Sequence, residues 1–260
     1  MREIDLNAGT AFLGRNAVWF DELDSTNAWC RENSPAHGTA VIAGCQTAGR
    51  GRSGRGWEAA PGSSLLLSLA LRGWPVGRLG ALPLVCGLGV CRALCALCGS
   101  GFSLKWSNDI LFGAKKVCGI LCESVLRGQS ASAVMGIGVN LTQTAREFES
   151  LGLVYAASLE SATGKKIENF ALAAEICRQM EPLLLELLRN GYSSLREEYK
   201  RRCITLGKEV RVITDGHERI GFARDIGGDG CLVCEIGGAL VNIYAGEASV
   251  RGIYGYADDM

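Results

Sequence analysis

The sequence predicts an α+β fold, with a large α/β-mixed domain over about residues 1–203 and a small all-β domain over about 204–260. Three observations predict it. Buried-type strand runs (Thr39 to Gln46, Ser64 to Leu71, Ala133 to Leu141) share the first part with two long helical stretches. One of these, Ala81 to Cys98, is apolar all round; the other, Glu168 to Asn190, is apolar along one stripe. After Cys203 the pattern changes to short strands separated by glycine turns, which reads as a small barrel.

The elements follow in order. Val18-Trp19-Phe20 is a short strand, and Asp24 or Ser25 is a good N-cap for a helix to about Asn33. Thr26 and Asn27 add polar groups at that helix start; capping needs one of the three, and three also suit a compact polar ligand. The Ala81 to Cys98 helix is expected to pack on a sheet and, given its apolar circumference, on another subunit. Phe102 to Trp106 is a strand ended by Ser107-Asn108-Asp109, residues that also serve simply as turn formers. Ile110 to Phe112, a Gly113-Ala114 turn and Val117 to Glu123 form a hairpin with Lys116 at its mouth, where solvated lysines are common. Gly119 inside that strand points to a close approach by another group. Gly136 and Gly138 leave one face of the next strand bare, able to take a flat ligand, and Asn140 ends it with an amide able to read a purine edge. Helices from Glu168 to Asn190 and from about Tyr192 to Arg202 follow. The final strands are Glu209 to Ile213, Ile220 to Asp225, Cys231 to Glu235 and Leu240 to Tyr244, and this unit is too small to hold much core, so it should dock on the larger domain.

Composition excludes several classes. With 27 basic and 27 acidic residues the net charge is zero, which argues against bulk affinity for nucleic acid or anionic membranes. No secretory signal is visible, because Arg2, Glu3 and Asp5 interrupt the N-terminus. The most apolar stretch carries Arg92 and several glycines, so it reads as a buried helix, and a cytoplasmic location follows as the default. Twelve cysteines without framework spacing read as free thiols in a reducing compartment. Of the two CxxC pairs, Cys95/Cys98 continues Cys91 along a helix, and Cys231/Cys234 is expected on opposite sides of a strand. Neither has the turn setting of a zinc site.

The stretch from Gly49 to Trp57 holds four glycines and three arginines. Glycine lets backbone approach a ligand, and arginine supplies a permanent charge on a planar donor fork. Together they describe an anion-gripping loop with the flat face of Trp57 beside it. Gly49-x-Gly51-x-x-Gly54 formally matches a dinucleotide fingerprint, but Gly56, Pro61 and Gly62 deny it the required helix. A solvated basic loop has the same composition. The glycines also predict a loop that is mobile alone and orders over a ligand, as active-site lids do.

Taken together, these motifs resemble the bacterial biotin protein ligases, also called biotin–[acetyl-CoA-carboxylase] ligases. The resemblance is carried by Ser25-Thr26-Asn27, by Gln46 with the Gly49 to Arg55 loop, and by Lys105-Trp106-Ser107-Asn108-Asp109-Ile110. Lys116 to Leu121, Gly136 to Asn140 and Ala245-Gly246-Glu247 follow in the family's order, so that about residues 18 to 252 are covered. One departure stands out: Ser107 occupies the place where the family usually has proline. The resemblance implies a mixed-sheet catalytic domain of the class II aminoacyl-tRNA synthetase type, with an SH3-like C-terminal barrel. It implies a reaction in which biotin and Mg-ATP give biotinyl-5'-AMP, whose acyl group passes to a lysine of a biotin carboxyl carrier protein. The only metal is Mg2+ accompanying ATP, and a monomer or a homodimer is equally compatible. Fewer than twenty residues precede the first strand, so no DNA-binding domain is expected, and hence no nucleic-acid partner.

Residue by residue, the resemblance implies a biotin pocket from Ser25, Thr26, Asn27 and Gln46, with Gly51 and Gly119 beside them. Arg50, Gly51 and Arg52 would grip adenylate and leaving phosphates. Lys116 would meet the biotin carboxylate and the α-phosphate. Trp57 and Asn140 would contact adenine, and Asp109 would orient or deprotonate the incoming lysine. A lipoate-type ligase and a catalytically silent biotin sensor are the alternatives; the full loop and the C-terminal strands speak against the first, the intact Arg50, Arg52 and Lys116 against the second.

Overall fold

The computed structural model describes residues 1–214, 217–245 and 249–251. Its strands are β1 Arg2–Ile4, β2 Ala17–Phe20, β3 Ala40–Ala43, β4 Ser64–Pro75, β5 Phe102–Lys105, β6 Asp109–Phe112, β7 Lys115–Arg127, β8 Ser130–Asn140, β9 Glu209–Thr214, β10 His217–Ile226, β11 Leu232–Ile236, β12 Ala239–Ile243 and β13 Ser249–Arg251. The helices are α1 Thr26–Asn33, α2 Leu82–Cys98, α3 Ala145–Ser150, α4 Leu159–Thr163, α5 Asn169–Asn190 and α6 Ser193–Arg202.

Eight strands form one sheet in the order β1-β2-β3-β4-β8-β7-β6-β5. It is mixed: β2 and β3 run parallel, and the other neighbours are antiparallel. Alternation splits the strand residues between two faces. Leu65, Leu67, Leu69 and Leu71 of β4 belong to the main apolar cluster with α2 and α5. Val41 of β3, Ala70 of β4 and Val134 of β8 pack with Cys30 and Trp29 of α1 on the opposite face. The functional residues lie on this second, thinner side.

The apolar circumference of α2 has an internal explanation. A Cβ on Gly87 would touch Leu104 Cδ2 at 3.4 Å on the sheet side, and one on Gly89 would meet Met180 Cε of α5 at 2.8 Å. The helix is sandwiched between sheet and α5, so its second apolar face is covered within the chain and not by another subunit. The long strands also exceed the sequence expectation. β7 and β8 continue to Arg127 and Ser130 as an exposed hairpin, which carries Val125 and Leu126 in the open.

The C-terminal strands form a separate antiparallel sheet, β12-β11-β10-β9-β13. The expected closed barrel is not what is seen: among the described residues the sheet is open, with no pairing between its edge strands β12 and β13. Gly246 and Glu247, expected to belong to the barrel, lie outside the described residues. The sheet docks as its size requires. Val210, Val212, Leu232 and Ile243 join the main apolar cluster, Ile204 N donates to Leu104 O at 2.9 Å, and Trp106 Nε1 donates to Gly230 O at 3.1 Å. Cys231 and Cys234 are both buried, Cys231 lying just ahead of β11 and Cys234 within it. All twelve cysteines are free. Burial pushes the thiols of Cys30 and Cys91 up to about 12, which leaves them unreactive.

Candidate functional site

A cleft opens on the α1 side of the sheet. Its floor follows from strand register. Leu66 of β4 pairs with Gly138 of β8, Gly138 with Gly119 of β7, and Gly119 with Asp109 of β6. The next row is Ser68, Gly136 and Leu121. Glycines at the centre of both rows leave the backbone open to close approach.

That bare face is covered by two side chains of the chain itself. A Cβ on Gly138 would lie 2.6 Å from Trp57 Cε2, and one on Gly119 would lie 2.8 Å from Trp57 Cζ3. A Cβ on Gly136 would lie 2.4 Å from Asn27 Oδ1. The glycines therefore seat Trp57 and Asn27 directly, and a flat ligand would stack on the indole rather than on the strand. Trp57 Nε1 is buried and has no hydrogen-bond partner among the described residues.

The polar wall grows from the start of α1. Ser25 is the N-cap, its backbone extended and its hydroxyl accepting from Ala28 N. Thr26 donates through its N and Oγ1 to Gln46 Oε1 at 2.8 and 3.0 Å. Gln46 Oε1 is thereby occupied, and its Nε2 turns toward Gly49 of the loop. Asn27 is held from both ends. Its Nδ2 donates to Leu121 O at 3.2 Å and Glu123 Oε2 at 2.7 Å, and its Oδ1 lies 2.6 Å from Ser68 Oγ. Both amide hydrogens are used, so Asn27 can offer a ligand only an acceptor. Glu123 is fixed in turn by Arg31 Nη1 at 2.7 Å. Sequence reasoning missed Ser68, Glu123 and Arg31. The available signals were a lone serine inside the apolar run of β4 and a carboxylate ending the apolar part of β7.

The cationic wall comes from the loop and the β6–β7 hairpin. The loop folds on itself: Gly51 N donates to Arg55 O at 2.7 Å and Trp57 N to Gly49 O at 3.0 Å, around a single 3-10 turn at Arg52–Gly54. Arg52 Nη1 donates to Ser107 Oγ at 2.7 Å and Asn108 Oδ1 at 2.8 Å. Burial pulls the Arg52 guanidinium below its ordinary pKa while the charge of Asp109 opposes that; at such a high starting value it stays charged. Gly113 takes a left-handed φ of +58° in the hairpin turn, and Lys116 follows it on β7. Lys116 Nζ lies 2.8 Å from Asp109 Oδ1 and 5.7 Å from the Trp57 ring centroid.

Of the residues expected from sequence, Ser25, Thr26, Asn27, Gln46, Arg50, Gly51, Trp57, Lys116 and Gly119 all line the cleft. Arg52 lines a second, outer hollow on the far side of the loop, with Ser107, Asn108 and Glu123. The two hollows share Arg50, Gly51, Asn108, Ile120 and Leu121. Asp109 is joined to the site through Lys116. Asn140 sits just beyond the cleft lining, its Nδ2 donating to Ala157 O at 3.1 Å. Among the described residues no three His, Cys, Asp or Glu side chains converge on a possible metal position. Chemically, the inner cleft offers a defined set of neutral donors and acceptors, and its mouth carries cations suited to carboxylate and phosphate.

The chain is similar to known proteins in sequence and in fold. The biotin/lipoate A/B protein ligase family model matches residues 19–140. The biotin–[acetyl-CoA-carboxylase] ligase of Mycobacterium tuberculosis is 34% identical over 257 residues, covering 95% of this chain and 92% of that protein. The bifunctional ligase/repressor BirA of Escherichia coli is 31% identical over 234 residues, 88% of this chain and 72% of that protein. Among solved structures, the biotin protein ligase of Aquifex aeolicus in complex with biotin and ATP superposes with a TM-score of 0.77 at 28% identity, covering 90% of this chain and 98% of the other.

Proposed function

The chain belongs to the biotin/lipoate A/B protein ligase family, and from that premise we propose that it is an ATP-dependent biotin–protein ligase acting on a carrier domain of a biotin-dependent carboxylase. In the first step a biotin carboxylate oxygen attacks the α-phosphorus of ATP, the bond to the β-phosphate breaks, and pyrophosphate leaves. In the second step the ε-amine of a carrier lysine attacks the acyl carbon of biotinyl-5'-AMP. The acyl C–O bond breaks, AMP leaves and the amine gives up its proton.

The observation that carries this reading is the junction of the two hollows at Arg50, Gly51, Asn108, Ile120 and Leu121. It joins a neutral, hydrogen-bonding pocket to a cationic mouth, as needed to bring a small carboxylic acid to a nucleotide. In this reading Ser25, Gln46 and Asn27 Oδ1 meet the ureido ring, with Thr26 holding Gln46 in place. Lys116 bridges the carboxylate and the α-phosphate, which otherwise repel each other. Arg50 and Arg52 neutralise the departing phosphates. Trp57 offers its ring face and its unpaired Nε1, and Asn140 borders the adenine end. Asp109 holds Lys116 and is close to where the amine arrives. Mg2+ enters bound to the ATP phosphates, which supply the oxygen ligands it prefers. The small sheet, where Ala245 after β12 borders the outer hollow, faces the carrier. Twelve free thiols suit a cytoplasmic setting.

The test is direct. Incubation with biotin, Mg-ATP and an apo carrier domain should add one biotinyl group to one lysine, seen by intact mass and peptide mapping. Lipoate in place of biotin should give none. Equal use of lipoate, or no pyrophosphate release with biotin, would refute the assignment.

A further inference from the structure

The turn between β5 and β6 is held from both sides. Trp106 N donates to Thr205 Oγ1 at 2.9 Å and Trp106 Nε1 to Gly230 O at 3.1 Å. On the other flank Ile120 N donates to Asn108 O at 2.8 Å, and Asn108 Nδ2 donates to Ile120 O at 3.2 Å. Ser107 sits between these clamps at 3% exposure, so its hydroxyl is a fixed point of the sheet. The glycine-arginine loop is the opposite kind of structure: Gly49, Gly51, Gly54 and Gly56 give it much backbone freedom to lose.

We propose that Ser107 is a positioning residue that latches this loop to the sheet through Arg52. Ser107 Oγ accepts from Arg52 Nη1 at 2.7 Å, and Asn108 Oδ1 accepts from the same nitrogen at 2.8 Å. The Asn108 amide cannot flip away without losing its bond to Ile120 O, so both acceptors face the guanidinium in a set geometry. A bond to a charged donor is stronger than a neutral one. Its effect is to order Arg52 before any ligand arrives, so that less freedom is lost when the loop is needed. Proline, which the family resemblance leads one to expect at 107, has no side-chain hydroxyl to accept this bond; this chain has built an additional tether for its loop. The catalytic consequence rests on the ligase reading; the latch itself does not.

The experiment uses the full chain as wild type, Ser107→Ala, Ser107→Thr, Arg52→Ala and the Ser107→Ala/Arg52→Ala double variant. The first readout needs no ligand: the rate of tryptic cleavage after Arg55. Loss of one such hydrogen bond predicts cleavage about fivefold faster in Ser107→Ala, near wild-type rate in Ser107→Thr, and no further gain from Ser107→Ala once Arg52 is alanine. The second readout is escape of biotinyl-AMP, measured as acylation of albumin per adenylate made. It should rise several-fold in Ser107→Ala and again show no added effect on Arg52→Ala. A purely structural role would lower thermal stability and act additively with Arg52→Ala. Wild-type cleavage in Ser107→Ala, or additivity in the double variant, overturns the latch. Altered cleavage with no adenylate from any variant upholds the latch and refutes the ligase reading instead. Should alanine at 107 prevent folding, Ser107→Cys keeps the volume with a weak acceptor, and the same comparison decides.

Discussion

Lys116 Nζ and Asp109 Oδ1 form an ion pair at 2.8 Å across the β6–β7 hairpin, with both side chains largely out of water. The pair couples the cation that reaches into the cleft to the strand that carries the Ser107-Asn108 turn. Lys116→Ala should slow adenylate formation about a hundredfold or more, and transfer from pre-made biotinyl-AMP much less. Asp109→Asn should slow both half-reactions, because Asp109 aims Lys116 in the first and meets the amine in the second. Single-turnover rates of the two steps decide; slowing confined to the first step means that Asp109 acts wholly through Lys116. Exposed Lys115, whose Nζ binds Val154 O at the surface, is the control.

Glu123 orients Asn27, and Asn27 is the acceptor of the inner pocket. In Glu123→Gln the new amide can donate or accept, so Asn27 loses the contact that fixes its orientation. The expected result is a biotin KM raised about tenfold, equivalent to one lost charged hydrogen bond, with ATP KM and kcat little changed. Steady-state kinetics with each substrate varied in turn would show it. A change in kcat alone would contradict the assignment.

The site was legible in the sequence where its chemistry is local. Ser25 reads as a cap because capping is a matter of neighbouring residues, and it is the cap. The Gly49 to Trp57 loop reads as an anion grip from composition, and its residues do border both hollows. Gly119 reads as a close-approach position and Gly138 as part of a bare face for a flat ligand, but what lies against both is Trp57, supplied by a different stretch of chain. Register is non-local, and no pattern within β4 announces that Ser68 faces Gly136 and touches Asn27. The same limit hid the role of α5 over α2.

The small sheet is tied to the catalytic body by more than apolar packing. Arg196 of α6 donates to Ile226 O and pairs with Asp225, and Lys200 Nζ reaches Asp225 Oδ1 at 2.8 Å. A chain ending near Arg202 should retain some biotin binding but lose carrier biotinylation. Because Trp106 loses its Gly230 partner, intrinsic fluorescence should also report a solvated indole. Full carrier biotinylation by the shortened chain would show that the sheet is an appendage.

Glu181 of α5 accepts three backbone N–H bonds, from Ala11, Phe12 and Leu13, and so ties the N-terminal segment to the core. Burial pushes this carboxyl up, but the three donors outweigh it and leave its pKa below the ordinary value. A depressed folded pKa stabilises the native state above the unfolded value, about 4.3. That contribution is lost as pH falls through the folded value. Glu181→Ala should therefore cost about 3 kcal/mol near neutral pH and less in acid. Urea unfolding at pH 7 and below pH 4 checks the sign; a penalty that grows in acid would be incompatible with it.

Arg52 joins the loop to the sheet and lines the outer hollow, so its loss should affect retention as well as chemistry. Biotinyl-AMP is a mixed anhydride, reactive toward water and toward any amine. A loop docked over it limits both reactions by excluding solvent. In Arg52→Gly the latch to Ser107 and Asn108 is gone, and a further glycine joins a stretch that already has three between Gly49 and Gly54. The closed loop then becomes a minor conformer. Adenylate formation should slow, and the adenylate that forms should escape, acylating unrelated lysines in solution. Incubating the variant with biotin, Mg-ATP and serum albumin and probing albumin for biotin measures the escape. The wild-type protein should label its carrier and leave albumin nearly blank. If the variant makes adenylate at the normal rate and albumin stays unlabelled, retention lies with another group, and Trp57 on its glycine seat is the next residue to test.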